Sequence, residues 1–193
     1  MSSAGKSSVS LFSSLTLCFI TLSFRVSHAV AFDAPHLQPA AVAEPLARLT
    51  KLNAIHGFGF EEALERAIGE SAHLGMHTDV VHIAVMPGSI EHPSAIKVSC
   101  YKWAHRDFKP WGHRLPIQCP QCGTIQKWRR LTLQDLSYRF ECGYERCGAG
   151  ERGSYWLMVR RPEPLAVVPF GKGSGSCWIK LSDQQAIQFS GRA

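Results

Sequence analysis

Two cysteine pairs, Cys119/Cys122 and Cys142/Cys147, stand with nineteen residues between them in the stretch IQCPQCGTIQKWRRLTLQDLSYRFECGYERCGAG. Bringing four sulfurs together across that interval leaves a chain little freedom, because each pair needs its own turn. In Cys119-Pro120-Gln121-Cys122-Gly123 the proline fixes the entry, and the glycine permits the positive φ that aims backbone amides at sulfur. Cys142-Gly143-Tyr144-Glu145-Arg146-Cys147-Gly148 again ends on glycine, with four residues between its cysteines, a looser turn within ligand spacing. Two turns on adjacent hairpins complete a tetrahedral shell. Disulfides are the second use of such sulfurs and a redox CxxC the third. The redox use wants a strand-to-helix context that this stretch lacks.

Residues from about 117 to 160 resemble the zinc-ribbon class, whose usual pattern is CPxCG, a β-hairpin and a second CxxC(G) turn. The resemblance implies a structural Zn2+ held by Cys119, Cys122, Cys142 and Cys147. It makes IQKWRR and YRF the hairpin strands and SYWLMVRR the third, with Phe140 beneath the metal. Four committed sulfurs leave no open coordination position, which disfavours a catalytic zinc.

Charge gathers around these cysteines. Residues 97–161 hold thirteen Lys/Arg against five Asp/Glu, whereas residues 1–96 hold five against eight. A basic patch attracts polyanions, and on the expected hairpin Lys127, Trp128, Arg129, Arg130 and Arg139 interleave an aromatic with cations, which suits nucleic acid. The competing readings are a solvated basic surface with Trp128 packed on the sheet, and a module that docks another protein.

The N-terminus bears on the chemistry of the sulfurs. A lysine-bearing start, the apolar run 9–24 and Ala29-Val30-Ala31 match a secretory signal peptide cleaved after Ala29 or Ala31. The competitor is a Ser-rich, acid-free organelle presequence, since no acid precedes Asp33. Export would leave Cys100, Cys119, Cys122, Cys142, Cys147 and Cys177, an even number that permits three disulfides. Retention inside the cell would favour the metal. No segment after the leader is apolar and long enough to cross a membrane.

The remaining chain reads as α+β: a small helix-plus-strands region followed by a three-stranded antiparallel zinc-ribbon-like module. Residues 1–31 form the signal-like segment, 32–55 a linker with a short helix over 45–52, and 56–116 the α/β region. Residues 117–161 form the ribbon-like module and 162–193 an extended tail, with a short helix starting at Ser182. Phe60, Leu64, Ala67, Ile68 and Ala72 mark a helix that Gly75 is expected to cap. Residues 79–86 and 95–103 read as strands, and 104–116 as a loop.

Other chemistry is weaker. Cys100 with His56 upstream has the spacing of a cysteine hydrolase, but the Q-A-C-x-G context is absent and too little chain precedes His56 to build that fold's sheet. His73 and His77, with His82 nearby, suit a metal, but a helix ending at Gly75 would part them. His105 and His113 flank Trp111 and belong with the basic surface; Cys177 is a thiol or a partner for Cys100. The expectation is a non-enzymatic zinc-ribbon-containing binding protein, against a secreted disulfide-stapled protein without metal and a hydrolase using Cys100.

Overall fold

The computed structural model describes residues 26–34, 36–86, 95–125, 127–132, 137–148, 153–163, 166–168, 175–182 and 189–191. The apolar run 9–24 lies outside them, and the helix expected from Ser182 largely so. The architecture is α+β with two antiparallel sheets. Strand β1 (His28–Phe32) leads to helices α1 (Pro39–Thr50), α2 (Phe60–Gly69) and α3 (Ala72–His77), then to β2 (Val80–Met86) and β3 (Ala95–His105). The second sheet follows with β4 (Trp128–Thr132), β5 (Tyr138–Cys142) and β6 (Trp156–Val159). Strands β7 (Ala166–Val167), β8 (Ser176–Ser182) and β9 (Phe189–Gly191) close the chain.

The first sheet has the order β1-β2-β3-β8-β7 and the second β4-β5-β6-β9. The described residues of 162–193 are therefore not a tail. Strand β8 pairs along β3 from Ser99↔Ser182 to His105↔Ser176, and β9 joins the outer edge of β6. The Gly and Ser punctuation before Ser176 conceals a strand whose Trp178 and Ile179 are both fully buried, one on each face.

Helices cover one face of the first sheet. Val80, Tyr101, Trp103 and Trp178 meet Val42, Leu49, Leu64, Ile68 and Leu74 in one core, with Val30 and Phe32 of β1 at its margin. Helix α1 starts six residues before the expected Pro45, because Pro39 itself opens the first turn, where its missing N–H costs nothing. A π-helical turn, Lys51–Ile55, extends it. Glu61 pairs with Lys97 and Lys180, and Glu65 takes Lys180 and the Tyr101 hydroxyl, so α2 is fixed in register on the sheet.

Gly75 does not end a helix. It lies inside α3, where a Cβ would stand 2.1 Å from Cβ of Trp103, so α3 can reach the sheet only because residue 75 has no side chain. Ser71 caps α3 by accepting from the Leu74 amide.

The stretch expected as a loop ties the sheets together. β3 runs to His105, Lys109 bridges back to it, and Pro110–Gly112 forms a single 3-10 turn. Buried Lys109 donates to Asp79 at 2.7 Å, and Lys102 reaches the same carboxylate at 3.4 Å. Trp111 has φ of 48°, the one positive value at a non-glycine among the described residues. That turn swings its indole onto Tyr138 of the second sheet, with ring centroids 5.7 Å apart, and Arg161 covers it.

The Ala29-Val30-Ala31 pattern lies within β1, where Ala29 faces Ile83 and Ala31 faces Val81 across the ladder. Cleavage after Ala31 would leave Phe32 alone of this strand. A chain beginning at Phe32 is expected to unfold at lower urea than one beginning at Ser27; equal midpoints would show that β1 contributes nothing. Gly75→Ala is expected to cost about 1–3 kcal/mol by overpacking, measured as a lowered thermal midpoint with the metal content unchanged.

Candidate metal centre

Each cysteine pair sits on its own turn, and local hydrogen bonds hold both turns. Cys119 N–H donates to the Thr124 carbonyl at 2.9 Å and Gly123 N–H to the Cys119 carbonyl at 2.8 Å, closing the first turn. Gln118 and Ile125 pair as a short bridge beneath it. In the second turn, Cys142 N–H donates to the Tyr155 carbonyl and Cys147 N–H to that of Tyr144, both at 2.9 Å. Gly148 has φ of +95°, and a Cβ there would fall 2.2 Å from the Gly153 carbonyl carbon, so only glycine fits. Ser154 then donates its hydroxyl to the Cys147 carbonyl at 2.8 Å.

The turns converge. All four sulfurs lie within 4.8 Å of one another, with Cys119 and Cys147 at 3.8 Å and Cys122 and Cys142 at 3.6 Å. A disulfide would need about 2.05 Å. A tetrahedral ion with metal–sulfur bonds of about 2.3 Å has sulfur–sulfur edges of about 3.8 Å. The donor set therefore fits a tetrahedral metal ion. Cys119, Cys142 and Cys147 are buried and Cys122 is half-exposed.

The sulfurs are not equivalent. Hydrogen bonds with the Thr124 hydroxyl, 3.3 Å away, and with its backbone hold the Cys122 thiol down at about 6. Burial pushes Cys142 up to about 12 and raises Cys147 as well. Thr124, Ser154 and Tyr155 were not singled out in the sequence. The only sign of Thr124 is its place directly after the first turn's glycine.

The expected basic residues divide between two faces, because side chains alternate along a strand. Trp128 and Arg130 lie on the inner side. The indole N–H of Trp128 donates to the Pro116 carbonyl at 2.9 Å, and its ring packs against both the cysteine cluster and the cluster of Phe140, Leu157 and Val159. Arg130 pairs with Asp107 at 3.2 Å and lies over Tyr138. Arg129 is exposed, and Arg139 pairs with Glu141 at 2.7 Å while stacking on Trp156. Lys127 is exposed, with its ammonium 6.0 Å from the Tyr144 ring. Phe140 is buried with Leu157 and Val159 in a cluster apart from the sulfurs, and Trp128 and Tyr155 touch both.

Cys100 is half-buried in β3, and burial pushes its thiol up to about 11, the opposite of what a nucleophile needs. His56 lies at the end of the π-helical turn and lines a separate groove with Glu44, Arg48 and Lys51. Burial outweighs the pull of Lys102 and Lys109 on the Cys100 thiol. Among the described residues no helix is long and apolar enough to cross a membrane.

No protein-family model, curated protein or solved structure matches this chain.

In metal-free, reduced protein at pH 7, iodoacetamide is expected to modify Cys122 ahead of Cys142, Cys147 and Cys100. The depressed thiol is largely thiolate there while the raised ones are not. Peptide mapping of a time course reads the order, and prior loading with metal should protect Cys122.

Proposed function

We propose that this protein is a non-enzymatic binding protein in which a structural Zn2+ staples a ribbon-like module. The observation that carries this reading is the convergence of four sulfurs within 4.8 Å at tetrahedral-edge separations. Soft thiolate ligands in a tetrahedral set favour zinc among the common divalent ions. Among the described residues the fully buried part of the module's apolar cluster is Phe140, Leu157 and Val159, with half-buried Leu115, Trp128, Tyr138 and Tyr155 around it, a small core for a four-stranded sheet. Structural zinc contributes on the order of 10–16 kcal/mol in small sites, enough to make up the deficit.

The ligand of this module is nucleic acid in our reading. The support is chemical: Lys127, Arg129 and Arg146 are exposed beside the second turn, which also carries Tyr144, its ring 6.0 Å from the Lys127 ammonium. Cations with aromatic planes suit phosphates and bases together. Trp128 serves the module's packing instead, and Arg129, with Lys127, replaces it as the residue to test.

Purified protein is expected to carry one zinc per chain, lost in Cys122→Ser and in Cys142→Ser. Chelation should unfold the ribbon and leave the α1–α3 region structured. A metal-free preparation with the four cysteines in disulfides would overturn the zinc reading. Binding to single-stranded nucleic acid should weaken steeply with salt, as neutralised phosphates release counterions. Lys127→Glu with Arg129→Glu should reduce both affinity and salt slope at unchanged zinc content. Trp128→Ala should instead destabilise the fold by roughly 2–4 kcal/mol, below a fully buried aromatic. No binding at low salt to any strand, single or double, would leave the module as a protein-docking or purely structural unit.

A further inference from the structure

Because α3 continues through Gly75, the two imidazoles that a helix end would have parted stand together. His73 Nε2 and His77 Nε2 lie 3.3 Å apart, one turn from each other on the exposed side of α3. Two imidazoles binding one tetrahedral ion at about 2.0–2.1 Å have their nitrogens about 3.3–3.4 Å apart. The separation matches that edge, and the i, i+4 spacing on a helix is the one that places two histidines on a single ion.

We infer that His73 and His77 form a second metal site, for a divalent first-row transition ion such as Ni2+ or Zn2+, separate from the four sulfurs. Imidazole suits these ions. The backbone that presents the pair is fixed: Leu74 and Gly75 between them are buried, Ser71 caps the helix, and Arg114 donates to the His77 carbonyl at 3.4 Å. With the backbone held, only the side-chain torsions of the two rings are ordered on binding, and each needs its Nδ1–H tautomer to offer Nε2 to the ion.

His77 also lines a cavity of about 470 Å³ with Asp33, His36, Asp79 and Arg114. Asp79 is committed to Lys102 and Lys109, and among the described residues no third His, Cys, Asp or Glu completes a metal-holding group with the pair. The remaining positions fall to water. Two protein ligands with open positions make an exchangeable site, unlike the closed four-sulfur shell.

Tag-free, zinc-loaded protein is titrated with Ni2+ by calorimetry and passed over an immobilised-Ni2+ column. The expected result is one equivalent of Ni2+ bound and retention on the column. Both should be lost in His73→Ala and in His77→Ala, with zinc still at one per chain. If the sulfurs prove to hold no zinc, the same titration on thiol-blocked protein keeps this test independent of that one. A wild type that binds no Ni2+, or one whose equivalent survives both substitutions, would overturn the assignment.

Discussion

Four sulfurs held within 4.8 Å set the conditions for the second half of the molecule. As thiolates they repel at short range in a partly buried site; as thiols, three of them are polar groups taken out of water for weak hydrogen bonds. A divalent cation removes both costs at once. The surrounding structure is consistent with that demand. Amides, the Thr124 hydroxyl and the Gly148 turn hold the cluster from the chain side, and Trp128 and Tyr155 seal it from the sheet side.

The two sheets are not beads on a string. The chain leaves the first sheet at His105, builds the second, returns as β7 and β8, and leaves again for β9. Between them the 106–116 segment supplies three kinds of contact. Lys109 inserts a cation beside Asp79, Trp111 places its indole on Tyr138, and Asp107 receives Arg130. Removing one partner of a buried ion pair strands the other, so the Asp79–Lys109 contact holds the connector more firmly than its single bond suggests.

Much of this was legible where the determinant is local. The cysteine spacing named its turns, the apolar faces at 60–68 named α2, and β-branched runs named β2 and β3. What escaped depends on partners distant in sequence. Gly75 looks like a helix stop until Trp103 is seen packed against it. Ser176–Ser182 looks like the end of a glycine-rich tail until its long ladder with β3 is known. The cations around Trp128 looked like one surface, but alternation along β4 sends Trp128 and Arg130 inward and Arg129 outward. The histidine pair was visible in sequence, and only the wrongly placed helix end hid it.

The ladder between β3 and β8 carries a consequence for how this protein is made. The two strands are nearest neighbours in the sheet, with His105 opposite Ser176, while residues 106–175 intervene in the chain. At about 5–20 residues per second, a ribosome delivers β8 roughly 4–14 seconds after β3. Through that interval one edge of β3 has no permanent partner, and unpaired strand edges template aggregation. The four clustered cysteines, Cys119 to Cys147, all emerge before β8 does, so their turns can form before the first sheet closes. A nascent chain whose second sheet formed slowly would keep its β3 edge open for longer, so a fault in that distant sheet would surface first as lost solubility.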